Sequence, residues 1–498
     1  MKKIIQNILI FILIFLLSLA LYSTHWALDT FSFYNFDEVL FQLTTPIKSA
    51  SSSILNSYLC NSLLRAFLLS IFLFVGVFFL LRYLSCDHFD IALRGKKKKL
   101  TISGKSARKG LSILTIFLTL FIIYYCLDQM HFIAYVKTQL NDSSFIQDHY
   151  VDPKCVTVTF PEEKRNLIYI YAESMESTFF SSDLGGGGKN NYLSPLQDIT
   201  KDHLVFSDTD LFGGPMMVTG TTWTSASMVS QTSGVPLKGS LSHIADVSSM
   251  LPGIYTLGDI LEANGYRQEI MFGSDKNFGN RGTYFTKHGN YHVYDYYTAI
   301  EKNKIDEDYY VWWGFEDSKL FEYAKEEITS LASTGEPFNF TMLTVNTHTV
   351  DGFVEEDCSN PYDTSYENAI YCSAEQIADF VHWIEKQDFY DNTTIIIVGD
   401  HVSMQKNFYP DSVKRRSYNV FINPAISTDS NYHRMFTLMD FFPTTLASLG
   451  ATIEGDRLGL GTNLFSGKST LMEEVGEETF EKEISKYSSY YIDQFYRS

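Results

Sequence analysis

Thr393-Thr-Ile-Ile-Ile-Val-Gly-Asp-His401 is a β-branched run that ends in two side chains able to bind a metal ion. A short run of this kind, bounded by polar residues and glycine, predicts a buried strand of a parallel sheet. In open α/β sheets, ligands bind outside the carboxyl ends of the strands. Asp400 and His401 therefore lie where a ligand site is expected, although such a pair is also common in helix caps and turns.

Two further apolar runs end in the same manner. Asn166–Ala172 directly precedes Glu173, and Phe338–Val345 is followed closely by His348. Because the carboxyl ends of parallel strands meet at one edge of a sheet, these side chains are expected to converge with the Asp-His pair. The convergence predicts a divalent-metal site, which no single one of these residues would do.

The composition suits a packed core together with membrane segments, because 45% of the 498 residues are hydrophobic and 15% are aromatic. The formal charge of −19 argues against a nucleic-acid partner, since phosphate binding needs a basic surface. Six cysteines are too few for a disulfide-dense small scaffold. The chain is long enough for more than one domain.

Three apolar runs in the first quarter of the chain predict membrane-spanning helices. They are Ile4–Tyr22, Leu63–Leu84 and Leu111–Leu127, and a bilayer core needs about 20 apolar residues per helix. The first run could instead be a cleaved signal peptide, because Lys2 and Lys3 precede it. We expect an uncleaved anchor of three helices over residues 1–128.

The basic residues predict how this anchor is oriented. The loop between the second and third runs is strongly basic, whereas the loop between the first and second is acidic. Positive residues stay on the cytoplasmic side. We therefore expect a cytoplasmic N-terminus, three crossings of the inner membrane, and a location outside that membrane for everything after Asp128. The basic loop contains Arg94, Lys96, Lys97, Lys98, Lys99, Lys105, Arg108 and Lys109.

The rest of the chain predicts one α/β domain. Residues 129–165 are polar and irregular and are expected to form a connector. From Asn166 onward, strand-like runs alternate with helical ones, which favours a mainly parallel sheet with helices on both faces. We assign residues 166–498 to this domain.

The stretch Gly220–Val229 is rich in hydroxyl side chains and leads into a moderately apolar segment. It predicts a loop that enters a helix N-terminus, where free N–H groups favour a phosphate. A hydroxyl here can be an ordinary N-cap. Beside a metal site, one of the threonines could instead be an activated nucleophile.

Gly273–Arg281 is a second loop that follows a predicted strand, Gln268–Phe272. It carries Lys276 and Arg281 in a protein otherwise rich in acidic residues. Arg281 is either a surface charge or a clamp for a phosphate group.

Cys358 and Cys372 lie close together in a polar, tyrosine-rich segment. Oxidation is permitted outside the cytoplasmic membrane. We therefore predict a disulfide between them that closes a short loop near His348.

Four motifs together resemble one known family. Asn166–Glu176, Gly220–Leu237, Asn346–Phe353 and Val398–His401 are similar to the sulfatase-like phosphoglycerol transferases of the alkaline phosphatase superfamily. Lipoteichoic acid synthases and lipid A phosphoethanolamine transferases share that core, but the His-x-x-Asp-Gly-Phe spacing and the cysteine pair resemble the enzymes that modify osmoregulated periplasmic glucans. The resemblance covers about residues 160–465 and implies an alkaline-phosphatase-like α/β/α sandwich.

The resemblance also implies roles for individual residues. Thr224 would be the nucleophile, with Thr221 as the alternative, and His348 would contact the substrate phosphate or leaving group. Arg281 matches a substrate-binding position only loosely, and Gly279 stands where some relatives carry a tryptophan. One divalent ion is implied, with Mn²⁺ expected first and Mg²⁺ or Zn²⁺ as alternatives. The implied metal ligands are Glu173, Thr224, Asp400 and His401.

The activity implied by the family is transfer of phosphoglycerol from phosphatidylglycerol to a periplasmic glucan. It would pass through a phospho-threonine intermediate and release diacylglycerol. Two alternatives stay open: a phosphoethanolamine transferase acting on lipid A, and a non-catalytic module that binds envelope glycans. A sulfatase activity is disfavoured because the chain lacks a Cys/Ser-x-Pro-x-Arg run.

Overall fold

The computed structural model describes residues 2–30, 35–44, 52–84, 88–92, 99–239, 248–405, 408–410 and 412–497. Arg94 and residues 96–98 of the predicted basic loop lie outside this part of the chain. The chain divides into two compact units. The first comprises Met1–Phe31 and Ala50–Val136, and the second comprises Ser32–Ser49 and Lys137–Ser498.

Three apolar helices of the first unit are long enough to cross a membrane, by length and composition. Among the described residues they are Ile4–Thr30, Leu55–Tyr83 and Gly104–Gln129, and they overlap the three predicted runs. Many of their large apolar side chains are exposed, which suits helices that face lipid. The elements of this part of the chain are helices Lys2–Thr30, Ser52–Tyr58, Arg65–Tyr83, Gly104–Gln129 and Phe132–Gln139, a π-helical turn at Leu59–Leu64, and the paired strands His88–Ala92 and Lys99–Ser103.

The second unit is built on one six-stranded sheet with the spatial order β3-β2-β4-β1-β5-β6. Its strands are β1 (Asn166–Ala172), β2 (Arg267–Phe272), β3 (His292–Tyr294), β4 (Phe338–Leu343), β5 (Thr393–Gly399) and β6 (Asn419–Ile422). Strands β1 to β5 run parallel, and only β6 is antiparallel to its neighbour. The predicted, mainly parallel sheet is confirmed.

Both faces of this sheet are covered, because successive residues of β1 enter two different cores. Leu167, Tyr169 and Tyr171 pack on one side. Ile168 and Ile170 pack on the other, and all seven residues of β1 are buried. A strand buried on both faces explains why its sequence is a continuous apolar run rather than an alternating one.

The helices that cover the sheet and extend the unit vary greatly in length. The longest, Ser365–Ile384, begins with a capping box in which Thr364 and Glu367 bind each other's backbone N–H groups. The α-helices are Phe36–Thr44, Phe145–His149, Gln197–Asp202, Thr224–Ser233, Leu257–Ala263, Arg281–Lys287, Tyr296–Glu301, Asp317–Ala332, Ser365–Ile384, Phe441–Ser448, Leu471–Val475, Glu477–Ile484 and Ser489–Tyr491. Short strand pairs join Val158–Thr159 to Thr452–Ile453 and Arg457–Leu458 to Gly461–Thr462.

The structure differs from the sequence interpretation in two segments. The predicted connector contains the helices Phe132–Gln139 and Phe145–His149, and Phe145 and Ile146 are buried. Helices this short give too few turns for a clear apolar period. The segment Phe36–Thr44, which the sequence analysis placed with the anchor, belongs to the second unit.

Candidate metal and phosphate site

The register of the sheet brings the predicted metal ligands together. Ala172 at the end of β1 pairs with Gly399 at the end of β5, so the next residues, Glu173 and Asp400, leave the sheet side by side. With His401 they form a group whose ligand atoms lie within 4.8 Å of one another. All three side chains are buried.

The ring of His401 presents one nitrogen to this cluster. Its Nδ1 lies 2.9 Å from the carbonyl oxygen of Val402, and a carbonyl can only accept, so Nδ1 carries the proton. The lone pair of Nε2 then faces Glu173 Oε1 at 3.6 Å and Asp400 Oδ2 at 3.4 Å. A lone pair set against two carboxylates is the arrangement of a metal ligand.

Asp400 shows most directly that these residues fit a cation. Its Oδ1 accepts N–H groups from Ser174 and His401, both at 2.8 Å, whereas its buried Oδ2 has no hydrogen-bond partner among the described residues. Burial, reinforced by the charge of Glu173, raises the pKa of Asp400 well above its usual range. A divalent ion would give the Oδ2 atom of Asp400 a partner and would offset the two buried negative charges. Two carboxylates with one imidazole suit Mn²⁺, Mg²⁺ or Zn²⁺.

Thr224 completes the cluster, and Thr221 does not. Thr224 is the first residue of the helix Thr224–Ser233, and its Oγ1 lies 3.4 Å from Glu173 Oε2 and 3.4 Å from His401 Nε2. The hydroxyl of Thr221 donates to the carbonyl of Val218 and accepts the N–H of the same residue. Thr221 is therefore held in a local turn, while Thr224 faces the predicted metal ligands.

His348 lies at the side of the cluster. Its Nδ1 donates to the carbonyl of Thr349 at 2.7 Å, which leaves Nε2 able to accept a proton. Burial, with a smaller contribution from the positive charge of Arg281, lowers the pKa of His348 to about 4. The ring of Trp313 packs against it with 4.6 Å between centroids. At neutral pH the imidazole is therefore an uncharged base.

Arg281 is buried rather than a surface charge, with 4% of its area exposed. Its Nε donates to the carbonyl of Phe278 and its Nη2 to Ser274 Oγ at 2.7 Å. The guanidinium lies over the rings of Phe272 and Phe278. Burial lowers the pKa of Arg281 to about 10, so it stays charged at neutral pH beside Glu173. It is a fixed cation suited to a phosphate group.

Gly279 has a structural reason to lack a side chain. Its φ of 62° lies in the left-handed region, and a Cβ there would lie 2.4 Å from Ser225 Oγ. Ser225 Oγ also donates to the Gly279 carbonyl at 2.8 Å, which ties this loop to the Thr224 helix. A tryptophan at this position would strain the backbone and displace the Ser225 hydroxyl. Trp313, in contact with Phe278 and His348, supplies the aromatic surface here instead.

Several residues that hold the site in place were not found by sequence reasoning. Ser174 Oγ donates to Glu173 Oε1 at 2.7 Å, and the hydroxyl of Thr347 donates to the Glu173 carbonyl. Asp317 accepts the N–H groups of Val345 and Asn346, which fixes the loop leading to His348. Ser174 directly follows Glu173, so its position in the sequence could have indicated a contact. No sequence pattern relates Asp317 to a loop 28 residues away.

The structure bonds Cys358 to Cys372, which lies in the helix Ser365–Ile384. The bridge closes a loop with a sequence separation of 14 residues. This loop follows the turn in which Phe353 N–H donates to the Asn346 carbonyl. The bridge therefore restrains the segment downstream of His348.

Comparisons with known proteins identify the family of this chain. The model of the Sulfatase family matches residues 165–451, which is more than half of the chain. The chain therefore belongs to the Sulfatase family, whose fold is the alkaline-phosphatase-like α/β sandwich described above.

Among its relatives, Phosphoglycerol transferase I of Salmonella typhimurium is 32% identical over 351 residues, which is 67% of this chain and 43% of that protein. The chain thus spans less than half the length of the curated relatives it matches. Phosphoethanolamine transferase A (EptA) from Neisseria meningitidis is 13% identical, with 89% of this chain and 84% of that chain covered at a TM-score of 0.51, and shares the fold. The lipoteichoic acid synthase LtaP from Listeria monocytogenes is 17% identical, with coverage of 65% and 82% and a TM-score of 0.49.

Proposed function

We propose that this chain transfers phosphoglycerol from phosphatidylglycerol to a hydroxyl group of a periplasmic glucan. The observation that carries the proposal is the position of Thr224 Oγ1, 3.4 Å from both Glu173 Oε2 and His401 Nε2 at a helix N-terminus. The similarity to Phosphoglycerol transferase I supports phosphoglycerol as the transferred group.

Glu173, Thr224, Asp400 and His401 would hold one divalent ion, with Mn²⁺ as the first choice. The bound ion lowers the pKa of a nearby hydroxyl and offsets negative charge on a phosphate. The chain's own residues do the rest. Arg281 holds the phosphate by charge, and the N-terminus of the helix Thr224–Ser233 directs its N–H groups toward the same region.

The reaction has two displacements. In the first, Thr224 Oγ forms a bond to phosphorus and the bond from phosphorus to the diacylglycerol oxygen breaks; the proton lost by Thr224 ends on that oxygen. In the second, the glucan hydroxyl oxygen bonds to phosphorus, Thr224 is released, and it regains a proton. His348 transfers the proton in both steps. The group that protonates the diacylglycerol oxygen in the first step is the base that removes the proton of the glucan hydroxyl in the second step. The negative phosphodiester offsets the burial that lowers the pKa of His348.

We also propose a periplasmic catalytic domain on a three-span inner-membrane anchor. The helix Phe36–Thr44 lies between the first two candidate spans in sequence, yet it belongs to the same unit as the sheet. Residues after the first span and after the third span must then lie on one side of the membrane. Three crossings with a cytoplasmic N-terminus meet that condition, and the basic loop agrees.

Membranes containing the full chain and Mn²⁺, incubated with phosphatidylglycerol labelled in its terminal glycerol, test this function. We expect diacylglycerol to be released and the label to enter a glucan. A parallel incubation with ethanolamine-labelled phosphatidylethanolamine should give no transfer. Transfer from the ethanolamine lipid alone would contradict the proposal and favour the phosphoethanolamine alternative.

A further inference from the structure

The helix Phe36–Thr44, which we call the loop helix, has an unusual pattern of burial. Its first turn carries two adjacent acids, Asp37 and Glu38, which are only 3% and 2% exposed. Leu40 and Phe41 are buried as well. Burying a carboxylate is costly unless it is hydrogen-bonded, so the contacts of these two acids need an explanation.

Both acids bind the segments that flank the Thr224 helix. The carboxylate of Glu38 accepts a hydrogen bond from the hydroxyl of Thr222, and Asp37 Oδ1 accepts the N–H of Gly239 at 2.9 Å. Phe41 packs against Trp223 with 5.6 Å between ring centroids. The loop helix therefore contacts the two residues that directly precede Thr224.

These two residues are the last ones before the helix in which Thr224 is the first residue. Trp223 is the extended residue before the helix, with φ −138° and ψ 159°, and its side chain does not cap the helix. Its indole N–H has no acceptor among the described residues, so packing holds the ring. A hydrogen bond from a hydroxyl to a buried carboxylate is a strong, directional restraint, and it acts on Thr222.

We propose that Glu38 is a positioning residue for the reaction, one that sets the Thr224 hydroxyl through Thr222 and Trp223. The proposal rests on the proposed function, because it takes Thr224 as the nucleophile. It implies that the segment between the first two spans completes the catalytic domain. A displacement of a reacting group by about 1 Å can cost about 100-fold in rate, so a contact two residues away is close enough to matter.

Four single variants and one double variant of the full chain, in detergent with Mn²⁺, test this role. Glu38→Ala removes the acceptor, Glu38→Gln keeps an oxygen that accepts the Thr222 hydroxyl, and Thr222→Val removes the donor. Gln42→Ala, at an exposed position of the same helix, is the matched control. Rates are normalised to the folded fraction, and they are measured both with phosphatidylglycerol and with bis(4-nitrophenyl) phosphate.

We expect Glu38→Ala and Thr222→Val each to lower kcat about 10- to 100-fold with little change in KM. Glu38→Gln should stay within about threefold of the parent, Gln42→Ala should be unchanged, and the double variant Glu38→Ala/Thr222→Val should be no slower than either single one. If Glu38→Ala does not fold, Thr222→Val and Glu38→Gln carry the test.

A purely structural role predicts a different result, namely lower thermal stability with an unchanged kcat per folded molecule, and that result would overturn the proposal. Additive effects of the two substitutions would overturn it as well. The chromogenic diester separates this outcome from failure of the proposed function. If the parent cleaves the diester but does not use phosphatidylglycerol, the donor assignment fails while the positioning role is still tested.

Discussion

The buried polar groups at the two edges of the central sheet differ in how they are paired. We call the edge where the parallel strands begin the amino edge and the edge where they end the carboxyl edge. At the amino edge, Asn166 donates to Thr393 Oγ1 at 3.3 Å and accepts the N–H of Phe338 at 3.3 Å. The Thr393 hydroxyl in turn donates to the Phe389 carbonyl at 2.7 Å. At the carboxyl edge, by contrast, Asp400 keeps a buried oxygen without a partner among the described residues.

This contrast distinguishes buried polar groups that stabilise the fold from buried polar groups that we expect to act in the function of the protein. Buried polar groups are nearly always paired, because an unpaired one costs about 1–3 kcal/mol. The amino edge follows that rule with neutral groups. The carboxyl edge gathers Glu173, Asp400 and His401, and the like charge of Glu173 adds to burial in raising the pKa of Asp400. The edge that violates the rule is the one that we expect to carry the chemistry.

The largest effect should come from removing the nucleophile. Thr224→Ala should lower phosphoglycerol transfer by about 10⁴-fold or more, because Thr224 supplies the hydroxyl that faces both Glu173 and His401 and would form the covalent intermediate. Release of diacylglycerol from labelled lipid measures it. Thr221→Ala is the matched control and should keep most of its activity, since Thr221 is held in a turn. Full activity of Thr224→Ala, or loss with Thr221→Ala alone, would reverse the assignment.

Removing the proton carrier should have a smaller effect. His348→Gln should lower the rate of transfer about 10²- to 10⁴-fold while lipid binding persists. Because burial lowers the pKa of His348 to about 4, the neutral base is present above that pH and is lost as the pH falls through it. Because the negative phosphodiester on Thr224 offsets part of this lowering, the rate of the acceptor step should decline at a pH somewhat above 4. A rate that rises as the pH falls would contradict a neutral base at this position.

Asp400→Asn should raise the free energy of unfolding when no divalent ion is present and should abolish the gain in that free energy that Mn²⁺ gives the parent. Without a divalent ion, the substitution removes one of two buried like charges and should stabilise the second unit by about 1–2 kcal/mol. With Mn²⁺ in large excess over its Kd, the parent gains about 3–4 kcal/mol and the variant does not. Thermal unfolding with chelator and with Mn²⁺ measures both. Asp391→Asn, exposed just before the other end of β5, should show neither effect.

The smallest effect on activity is expected at the amino edge. Asn166→Ala leaves the Phe338 N–H without its acceptor and should lower the free energy of unfolding by about 1–3 kcal/mol. The rate of transfer per folded molecule should be unchanged. A large loss of activity per folded molecule in Asn166→Ala would contradict the claim that the polar groups at the amino edge only stabilise the fold.

Much of the fold follows from the sequence because its signals are local. Buried parallel strands are continuous apolar runs, so β1, β4 and β5 could be placed, and the rule for parallel sheets then placed Glu173 beside Asp400. Thr224 at a helix start was predictable from the hydroxyl-rich loop. Its proximity to the cluster needed the family resemblance.

The parts that could not be predicted depend on contacts between distant segments. Glu38 and Thr222 are separated by 184 residues, and no periodicity links them. The sequence left Arg281 open as a surface charge or a phosphate clamp, because burial of a single arginine has no local signature. The requirement for glycine at position 279 depends on Ser225, which lies on another element.

The most direct test is mass spectrometry of the full chain after incubation with phosphatidylglycerol and Mn²⁺ in the absence of a glucan acceptor. We predict a peptide that contains Thr224 and carries one glycerophosphoryl group on that residue, absent when chelator is added. A modification on another residue, or release of diacylglycerol with no modified Thr224 at any time point, would contradict a site in which the carboxyl edge of the sheet activates this hydroxyl.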